Sequence, residues 1–265
     1  MSKYITHFQT ESEYQTALPT IELPNVSLVD ELGEVHYHRA LYGANAGDIC
    51  LYDVAEGQKF FVTANNWNLT SYPTASYPIV GIAIADESVT GVTLVSTFFM
   101  AADGSATRTS TILKWQDVFF DWGLTKYTSE NEAKTDFNGK TNTSTIINAI
   151  KAYDLAHSTD NLTGHIGGAI QEFYVTGTNK GDWYVGAAGE VAYFVTNKTK
   201  LNATFNKIYS QQYSLITGDS IANNESRATS TEYSNQTYWR LGNYSSGFGT
   251  SQKSVSGLVR PFTIV

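Results

Sequence analysis

The chain has 265 residues, of which 42% are hydrophobic and only 16% charged, and its formal net charge is −8. With 17 Tyr, 13 Phe and 5 Trp, this composition excludes an intrinsically disordered protein, because such chains are rich in charge and poor in aromatic residues. The 17 basic residues form no run, and no stretch approaches the roughly 20 apolar residues of a membrane span. We therefore expect a soluble, folded protein with no nucleic-acid partner and no membrane insertion.

The first 42 residues are predicted to form an extended arm. Pro19 and Pro24 each fix their own φ and disfavour helical backbone in the residue before them. The opening MSKYITHFQT lacks the charged and apolar regions of a secretory signal, so we expect synthesis in the cytoplasm. His36 and His38 share one face of a strand, and three copies around an axis could form an imidazole metal site. Two ordinary exposed histidines are the alternative.

Residues 43–125 are predicted to form a small β domain. Short runs rich in β-branched and aromatic residues alternate with turn-forming residues, as in small all-β domains. The single cysteine, Cys50, lies between Ile49 and Leu51 and excludes an internal disulfide, so we expect it to be a plain buried thiol. The expected strands are 48–52, 59–63, 79–85, 89–96 and 118–122.

Residues 126–265 are predicted to form an α+β domain with two helices. One helix is expected to begin at Ser144 as the N-cap, and a second near Ala187. The apolar positions at helical spacing are Ile146, Ile147, Ile150 and Tyr153 in the first, then Val191, Phe194 and Val195, and then Leu201, Phe205 and Ile208. Strands are expected at 237–241 and 257–265. The predicted fold class is α+β, with an extended arm and a small all-β domain before this one.

Two motifs in the last domain resemble one branch of the C-type lectin fold. The sequence GDWYVGAAGE at 181–190 is similar to the WYLPSxGEL signature of that branch, with Val-Gly-Ala in place of Leu-Pro-Ser. The run STEYS at 230–234, YW at 238–239 and GLVRPF at 257–262 resemble its SSTE, W and VRP finish. This branch contains the Fibrobacter major paralogous domains and the retroelement-diversified variable proteins. The resemblance covers about residues 135–265 and implies a C-type-lectin-like domain.

A second resemblance concerns the region before that domain. The GDI, KFFV and PIVGIAI segments between residues 47 and 85 are similar to a region of virion proteins from crAss-like phages of gut Bacteroidetes. The openings YITHFQTESEYQTA and LPNVSLVDELGEVHYH resemble the same group. The resemblance implies a protein of a bacteriophage particle, assembled in the bacterial cytoplasm, and leaves head fibre and tail fibre both open.

Several residues of the motifs are expected to support the scaffold. Residues 183–184, Trp-Tyr, should fill the core. Gly189 should allow a close approach where a helix begins, and Glu190 should favour the positive end of the helix dipole. Arg260 and Glu232 are expected to form a structural ion pair, with Glu190 competing for the same guanidinium.

Chemistry beyond recognition finds little support in the sequence. Residues 135–265 contain no cysteine, and the Glu-Pro-Asn, Gln-Pro-Asp and Trp-Asn-Asp tripeptides of calcium-dependent lectins do not occur, so we expect no cofactor and no metal. His157 and His165 accompany no serine elbow or HExxH motif. A carboxyl pair for glycan hydrolysis could in principle come from Asp154, Asp160, Glu172 and Asp182. Solvated surface positions are the alternative, and we expect no enzymatic activity.

The last loops are the expected binding surface. Tyr and Trp provide contact area at low entropic cost, and Asn and Ser provide adaptable hydrogen bonds. The predicted ligand-binding residues are Tyr233, Asn235, Tyr238, Trp239, Arg240, Asn243, Tyr244 and Phe248, with Tyr238 facing outward on its strand.

These expectations combine into a hypothesis of function. The chain would be a non-enzymatic fibre protein of the virion that binds a host-surface glycan or protein through its last domain. Its arm would attach to other virion proteins of the capsid or tail, and it would form a homo-oligomer, with a trimer favoured. The alternative is a decoration or collar protein whose last domain contacts other virion proteins. A glycan hydrolase is the third possibility.

Overall fold

A computed structural model of the chain describes residues 28–29, 35–36, 44–97, 99–100, 104, 106–107, 112–212, 227–242 and 247–265. Residues 1–42 and 43–265 are two units. In the first, the structure describes one antiparallel strand pair, β1 (Leu28–Val29) and β2 (Val35–His36), with Leu28 opposite His36. His36 thus lies in a strand, and His38 lies outside the described residues.

The second unit mixes helices and strands, which confirms the predicted α+β class. Among the described residues, no helix has the length and apolar character needed to cross a membrane. The elements, in chain order, are β3 (Ile49–Asp53), β4 (Gln58–Val62), β5 (Ile79–Ala83), α1 (Glu87–Thr90), β6 (Leu94–Ser96), β7 (Phe99–Met100), β8 (Ala106–Thr107), β9 (Ile112–Leu113), α2 (Glu130–Ala133), α3 (Gly139–His157), α4 (Ile166–Glu172), β10 (Tyr184–Val185), α5 (Ala188–Thr196), α6 (Lys198–Gln212), β11 (Arg227–Glu232), β12 (Thr237–Leu241), β13 (Phe248–Gln252), β14 (Gly257–Leu258) and β15 (Pro261–Ile264).

Two large sheets organise this unit. A six-stranded antiparallel sheet has the order β10-β15-β6-β5-β3-β4. A five-stranded sheet has the order β13-β12-β11-β14-β9, in which only β11 and β14 are parallel. A domain boundary was expected between residues 125 and 126. Because β15 pairs with β6 and β14 pairs with β9, each sheet contains strands from both sides of that boundary. Residues 43–265 form one compact unit.

The six-stranded sheet is buried on both faces. Successive side chains of a strand point to opposite faces: Cys50 joins one apolar cluster with Ile146 of α3, whereas Ile49 and Leu51 join another with Phe194 of α5. Strands buried on both faces become continuously apolar, which explains the uninterrupted hydrophobic runs of β3 and β5. Cys50 is a buried free cysteine, as predicted, and burial raises its pKa to about 12.

Three of the five strands expected before residue 125 are confirmed to within two residues, at β3, β4 and β5. The other two predictions were wrong in part or in full. Of 89–96 only Leu94–Ser96 is a strand, since Val89 belongs to α1, which ends at Gly91 with φ 70°. Residues 118–122 form no strand, and the backbone N–H of Trp122 donates to the Glu232 carboxylate rather than to a neighbouring strand.

Both predicted helices are present, but their number and the start of the first need correction: the structure describes five helices between residues 126 and 265, not two. Helix α3 starts at Gly139 after Asn138, not at Ser144. The earlier start is possible because glycine at 139 leaves room for the Glu190 carboxylate, which a β-carbon would strike. Helix α5 starts at Ala188, as predicted. Helix α6 carries the second expected apolar face, and its members are fully buried: Leu201, Phe205 and Ile208.

Three strands of the five-stranded sheet, β9, β11 and β13, were not predicted. All six residues of β11, Arg-Ala-Thr-Ser-Thr-Glu, are buried although most are polar. Thr229 donates its hydroxyl to the Trp239 carbonyl, and the Thr231 hydroxyl donates to the Asp136 carboxylate at 2.7 Å. Hydrogen bonds of this kind make the burial of polar groups tolerable, so the segment is a core strand with the composition of a loop.

Candidate functional site

One end of the five-stranded sheet gathers three segments that are far apart in sequence. The turn between β11 and β12, residues 233–236, meets the turn 253–256 after β13, where Lys253 N donates to Gln236 O at 3.0 Å. Residues 114–127 lie against both, since Trp115 N donates to Lys253 O at 3.1 Å and Tyr127 N to Glu232 O at 3.2 Å. We name this region, residues 114–127, 233–236 and 253–256, the loop end.

A buried ion pair holds the segments of the loop end together. Lys253 and Glu232 have fully buried side chains and contact each other. The Lys253 ammonium also donates to the Phe120 carbonyl at 2.7 Å and lies 4.0 Å from the centroid of the Trp122 ring. Glu232 accepts from the N–H groups of Trp122 (3.1 Å) and Leu124 (3.3 Å). Burial lowers the pKa of Lys253, while the Glu232 carboxylate opposes that shift.

The predicted partner of Glu232 was therefore wrong. Arg260 places its guanidinium 4.7 Å from the centroid of the Phe205 ring and donates to the Thr97 carbonyl at 3.1 Å. Lys253, which the sequence had not suggested, lies on the turn after β13 and reaches Glu232 across the sheet. The pairing exists because β12 places β13 within reach of β11, an arrangement that depends on the missed strands.

Two predicted ligand-binding residues are exposed at the loop end. Tyr233 is 37% exposed and Asn235 is exposed beside it. The Tyr233 ring stands edge-on to Trp239, with ring centroids 5.5 Å apart and an interplanar angle of 80°. Trp239 is itself buried, and its indole N–H donates to the Tyr127 carbonyl at 2.8 Å. Trp239 thus supports Tyr233 from beneath.

The expected outward orientation of Tyr238 was wrong. Tyr238 is 0% exposed and packs near Trp122, with ring centroids 6.4 Å apart. It belongs to one apolar cluster, and Trp239 and Leu241 belong to the other. Because both faces of β12 are covered, alternation along the strand separates two cores instead of separating core from solvent.

Two more predicted residues, Arg240 and Phe248, lie away from the loop end. Leu241 pairs with Phe248 at the far end of β12, four residue steps or about 13 Å from Thr237. Phe248 is buried, and Arg240 is half-buried. Asn243 and Tyr244 lie outside the described residues. The predicted residues that the structure describes are therefore spread along β12 and its two ends and do not form one surface.

The loop end also exposes apolar residues that the sequence had not singled out. Phe119 is 45% exposed and Val255 is 41% exposed. Next to Phe119, the ring of Phe120 stacks on Tyr153 at 4.4 Å, and Tyr153 stacks on His157 at 4.0 Å. The run Phe119-Phe120-Asp121-Trp122, expected to be a strand, was the available signal, since its aromatic residues follow no strand alternation.

The two histidines considered for catalysis have structural surroundings. His165 is buried, and its ring nitrogens lie 2.8 Å from the Thr163 carbonyl and 3.2 Å from the Asp117 carboxylate. The Nδ1 atom of His157 lies 2.9 Å from the Tyr153 carbonyl. His165 thus connects its loop to Asp117, whereas His157 is exposed and contacts its own helix.

The four carboxylates considered for glycan hydrolysis each bind groups nearby in the sequence. Asp154 accepts from Thr159 and from Asn161, at 2.7 and 2.6 Å. The remaining contacts are Asp160 with the N–H groups of Leu162 and Thr163, Glu172 with Lys180, and Asp182 with the N–H group of Asn179. In the part of the chain that the structure describes, no group of three His, Cys, Asp or Glu residues has the geometry to hold a metal ion.

The motif residues at the start of α5 occupy the positions predicted for them. Trp183 and Tyr184 are buried. A β-carbon on Gly189 would lie 2.6 Å from the Asp136 carbonyl oxygen, so the glycine permits a close contact. Glu190 accepts from the Ala187 N–H at 2.7 Å and from the Tyr184 hydroxyl at 3.1 Å, which places its carboxyl at the amino end of the helix.

Comparison with known proteins adds one distant structural likeness. No protein-family model matches the chain, and no curated protein matches it. A crystallised fimbrial protein from Bacteroides ovatus ATCC 8483 is similar with a TM-score of 0.44 and 18% identity, over 92% of this chain and 49% of that protein. The chain therefore spans about half the length of the fimbrial protein, and a likeness at this level assigns no function.

Proposed function

We propose that the chain is a non-enzymatic fibre protein of a bacteriophage particle, which binds a host-surface glycan or protein through the loop end. The observation that carries the proposal is the pairing of an exposed aromatic and amide surface with a buried ion pair beneath it. Tyr233, Phe119 and Asn235 supply the surface, and Lys253 with Glu232 holds its three segments together.

This arrangement suits recognition because the contact residues stand on a rigid support. Ordering a loop when it binds costs free energy, so a surface fixed in advance retains more of its contact energy as affinity. Exposed aromatic side chains are the usual energetic anchors of protein interfaces, and amides adapt their hydrogen bonds to the partner. The Tyr233 ring is an exposed aromatic side chain, and its contact with the buried Trp239 provides the rigid support.

The resemblance to the C-type-lectin-like branch supports the same proposal. Two of its motifs, at 181–190 and 257–262, are far apart in the chain, yet Tyr184 of the first lies opposite Phe262 of the second in adjacent strands. The third motif, at 230–234, leads directly into the loop end. The first and last of these segments thus meet in the six-stranded sheet, and the segment at 230–234 continues into the loop end.

Binding to bacterial cells tests the proposed surface. The full chain is labelled with a fluorophore and titrated against a panel of gut Bacteroidetes strains by flow cytometry. Replacing both Phe119 and Tyr233 with alanine should weaken binding at least tenfold, because aromatic hot spots contribute about 2 kcal/mol or more each. Tyr174→Ala is the matched control, since Tyr174 is 55% exposed outside the loop end. Equal binding by the double variant and the wild type contradicts the proposal.

Attachment and assembly are the second part of the proposal. The arm, residues 1–42, would bind other virion proteins, and three chains would assemble around one axis. Electron microscopy of gold-labelled particles should place the loop end at the distal tip of a fibre. A position enclosed by capsid or tail proteins would instead identify a decoration or collar protein. Sedimentation equilibrium of the purified chain should give the mass of three chains, and a monomer contradicts this part.

A further inference from the structure

A polar cleft opens between the β3–β4 hairpin and the loop that precedes β10. Its volume is about 520 Å³, within the range of small-molecule sites in proteins. The lining residues are Tyr52, Gly57, Lys59, Gly177, Thr178 and Asn179, and none of them belongs to the loop end.

The hairpin wall of the cleft is held by hydrogen bonds on every side. Strand β3 pairs with β4 and with β5, and Tyr52 N donates to the Pro78 carbonyl at 3.0 Å. In the turn, Gly57 N donates to the Asp53 carbonyl at 2.8 Å. The Asp53 carboxylate accepts from the N–H groups of Ala55 and Glu56, at 2.9 and 3.1 Å, so it is engaged within its own turn.

The opposite wall is equally fixed. The Thr178 hydroxyl accepts from the indole N–H of buried Trp183 at 2.8 Å and from Val175 N at 3.0 Å. Asn179 N donates to the Asp182 carboxylate at 2.7 Å. These bonds connect the loop to the core, so the cleft exists without a ligand to order it.

Two glycines bring the walls together over one aromatic ring. Gly57 and Gly177 have φ angles of 71° and 87°, which favour glycine. A β-carbon on Gly177 would collide with the Cβ and Cγ atoms of Tyr52, and one on Gly57 would lie 3.8 Å from the Tyr52 hydroxyl. The Tyr52 side chain therefore extends from one glycine to the other along the cleft.

Lys59 gives the cleft its charge. The side chain is half-buried, and it has no hydrogen-bond or ion-pair partner among the residues that the structure describes. Of the acidic groups on the flanking segments, the Asp53 carboxylate accepts within its turn, Glu172 pairs with Lys180, and the Asp182 carboxylate accepts from Asn179. An anion entering the cleft would meet an ammonium group that is free to bind it.

We propose that this cleft binds a sugar that carries a carboxylate, of the hexuronic acid class. Lys59 binds the carboxylate, the Asn179 amide and the glycine backbone bind ring hydroxyls, and the Tyr52 ring packs against the apolar face of the pyranose. The ligand is either a free acidic sugar or a unit of an acidic polysaccharide, since both present the same chemistry. The site is separate from the loop end and does not depend on its function.

Amide NMR of the full chain, uniformly labelled with nitrogen-15, tests the proposal. Sodium glucuronate should shift the amide resonances of Gly57 and Gly177 in a saturable way, and glucose should bind at least tenfold more weakly. Lys59→Met should weaken glucuronate binding about tenfold, as expected for a lost charge-assisted hydrogen bond. Lys140→Met is the control, because Lys140 is an exposed lysine of α3 outside the cleft, and it should bind as the wild type does.

The comparison of probes also identifies the source of the sugar. An oligosaccharide containing glucuronate that binds more tightly than the free acid indicates a polysaccharide, and the reverse order indicates a free sugar. The proposal is overturned if glucuronate leaves both glycine amides unshifted, if glucose binds equally well, or if Lys59→Met retains wild-type affinity. Circular dichroism shows whether each variant is folded. If Lys59→Met does not fold, Asn179→Ala is measured instead, and it should bind glucuronate more weakly than the wild type.

Discussion

Replacing Glu190 with glutamine should make the stability of the protein less dependent on pH. Glu190 is 3% exposed, and burial raises the pKa of its carboxyl from 4.5 to about 7, with the nearby Asp136 carboxylate adding to the shift. Hydrogen bonds from the Ala187 N–H and the Tyr184 hydroxyl act in the opposite direction but are outweighed. A glutamine oxygen can accept from the same donors without carrying a charge.

The sign and size of the effect follow from proton linkage. Between pH 4.5 and 7 the folded state retains a proton on Glu190 that the unfolded state releases, so the free energy of unfolding falls as pH rises. The contribution of Glu190 is fully present below pH 4.5 and is lost once the pH has risen through about 7. Each unit of pKa shift corresponds to about 1.4 kcal/mol, and the shift of 4.5 to about 7 therefore gives about 3 kcal/mol.

Urea unfolding followed by circular dichroism measures this difference. The wild type and Glu190→Gln are compared at pH 4.5, 6 and 8, and the variant should gain about 3 kcal/mol relative to the wild type across that range. Exposed carboxyls with lowered pKa values, such as Asp160, act in both proteins and cancel in the difference. A difference that stays constant from pH 4.5 to pH 8 refutes the assignment of a buried, protonated Glu190.

Three further perturbations test the packing around the candidate site. Lys253→Met leaves the Glu232 carboxylate buried without its cation and should lower the free energy of unfolding by about 3–5 kcal/mol. Urea unfolding measures this loss, and a loss under about 1 kcal/mol would contradict a buried pair. Gly189→Ala places a β-carbon 2.6 Å from the Asp136 carbonyl oxygen and should lower the free energy of unfolding by about 1–3 kcal/mol. Thermal melting measures this loss, and an unchanged midpoint would show that the contact relaxes freely. Cys50, fully buried with a raised pKa, should react with a thiol reagent only after unfolding, and prompt labelling of the native protein would disprove its burial.

The buried elements that could be predicted from the sequence are those composed mostly of apolar residues. Strand β3, apart from Asp53, and strand β5 consist of apolar residues. Helix α6 places apolar residues at helical spacing, at Leu201, Phe205 and Ile208. Strand β11 could not be predicted this way, because most of its residues are polar. Its Thr231 is buried against Asp136, a residue 95 positions earlier in the chain. Only the assembled structure supplies the hydrogen-bond partner that makes this burial tolerable.

Prediction of the candidate site was limited for a related reason. Tyr233 and Asn235 were predicted from composition and are exposed, because turns between strands usually lie at the surface. The exposure of Tyr238 depended on whether a second layer covers its strand, and a single strand contains no information about that layer. The same limitation concealed Lys253, whose burial depends on contacts with Phe120 and Trp122.

The loop end also requires both sides of the expected boundary at residue 125. Lys253 and Glu232 come from the last part of the chain, whereas the Phe120 carbonyl and the Trp122 ring that surround the ammonium come from the part before it. Strand β9 precedes the boundary as well, and it forms the edge of the sheet beside β14. A segment limited to residues 126–265 would leave a charged pair without its carbonyl and aromatic partners, and a buried charge without such partners is strongly unfavourable. The proposed binding surface is therefore a property of the whole compact unit, residues 43–265.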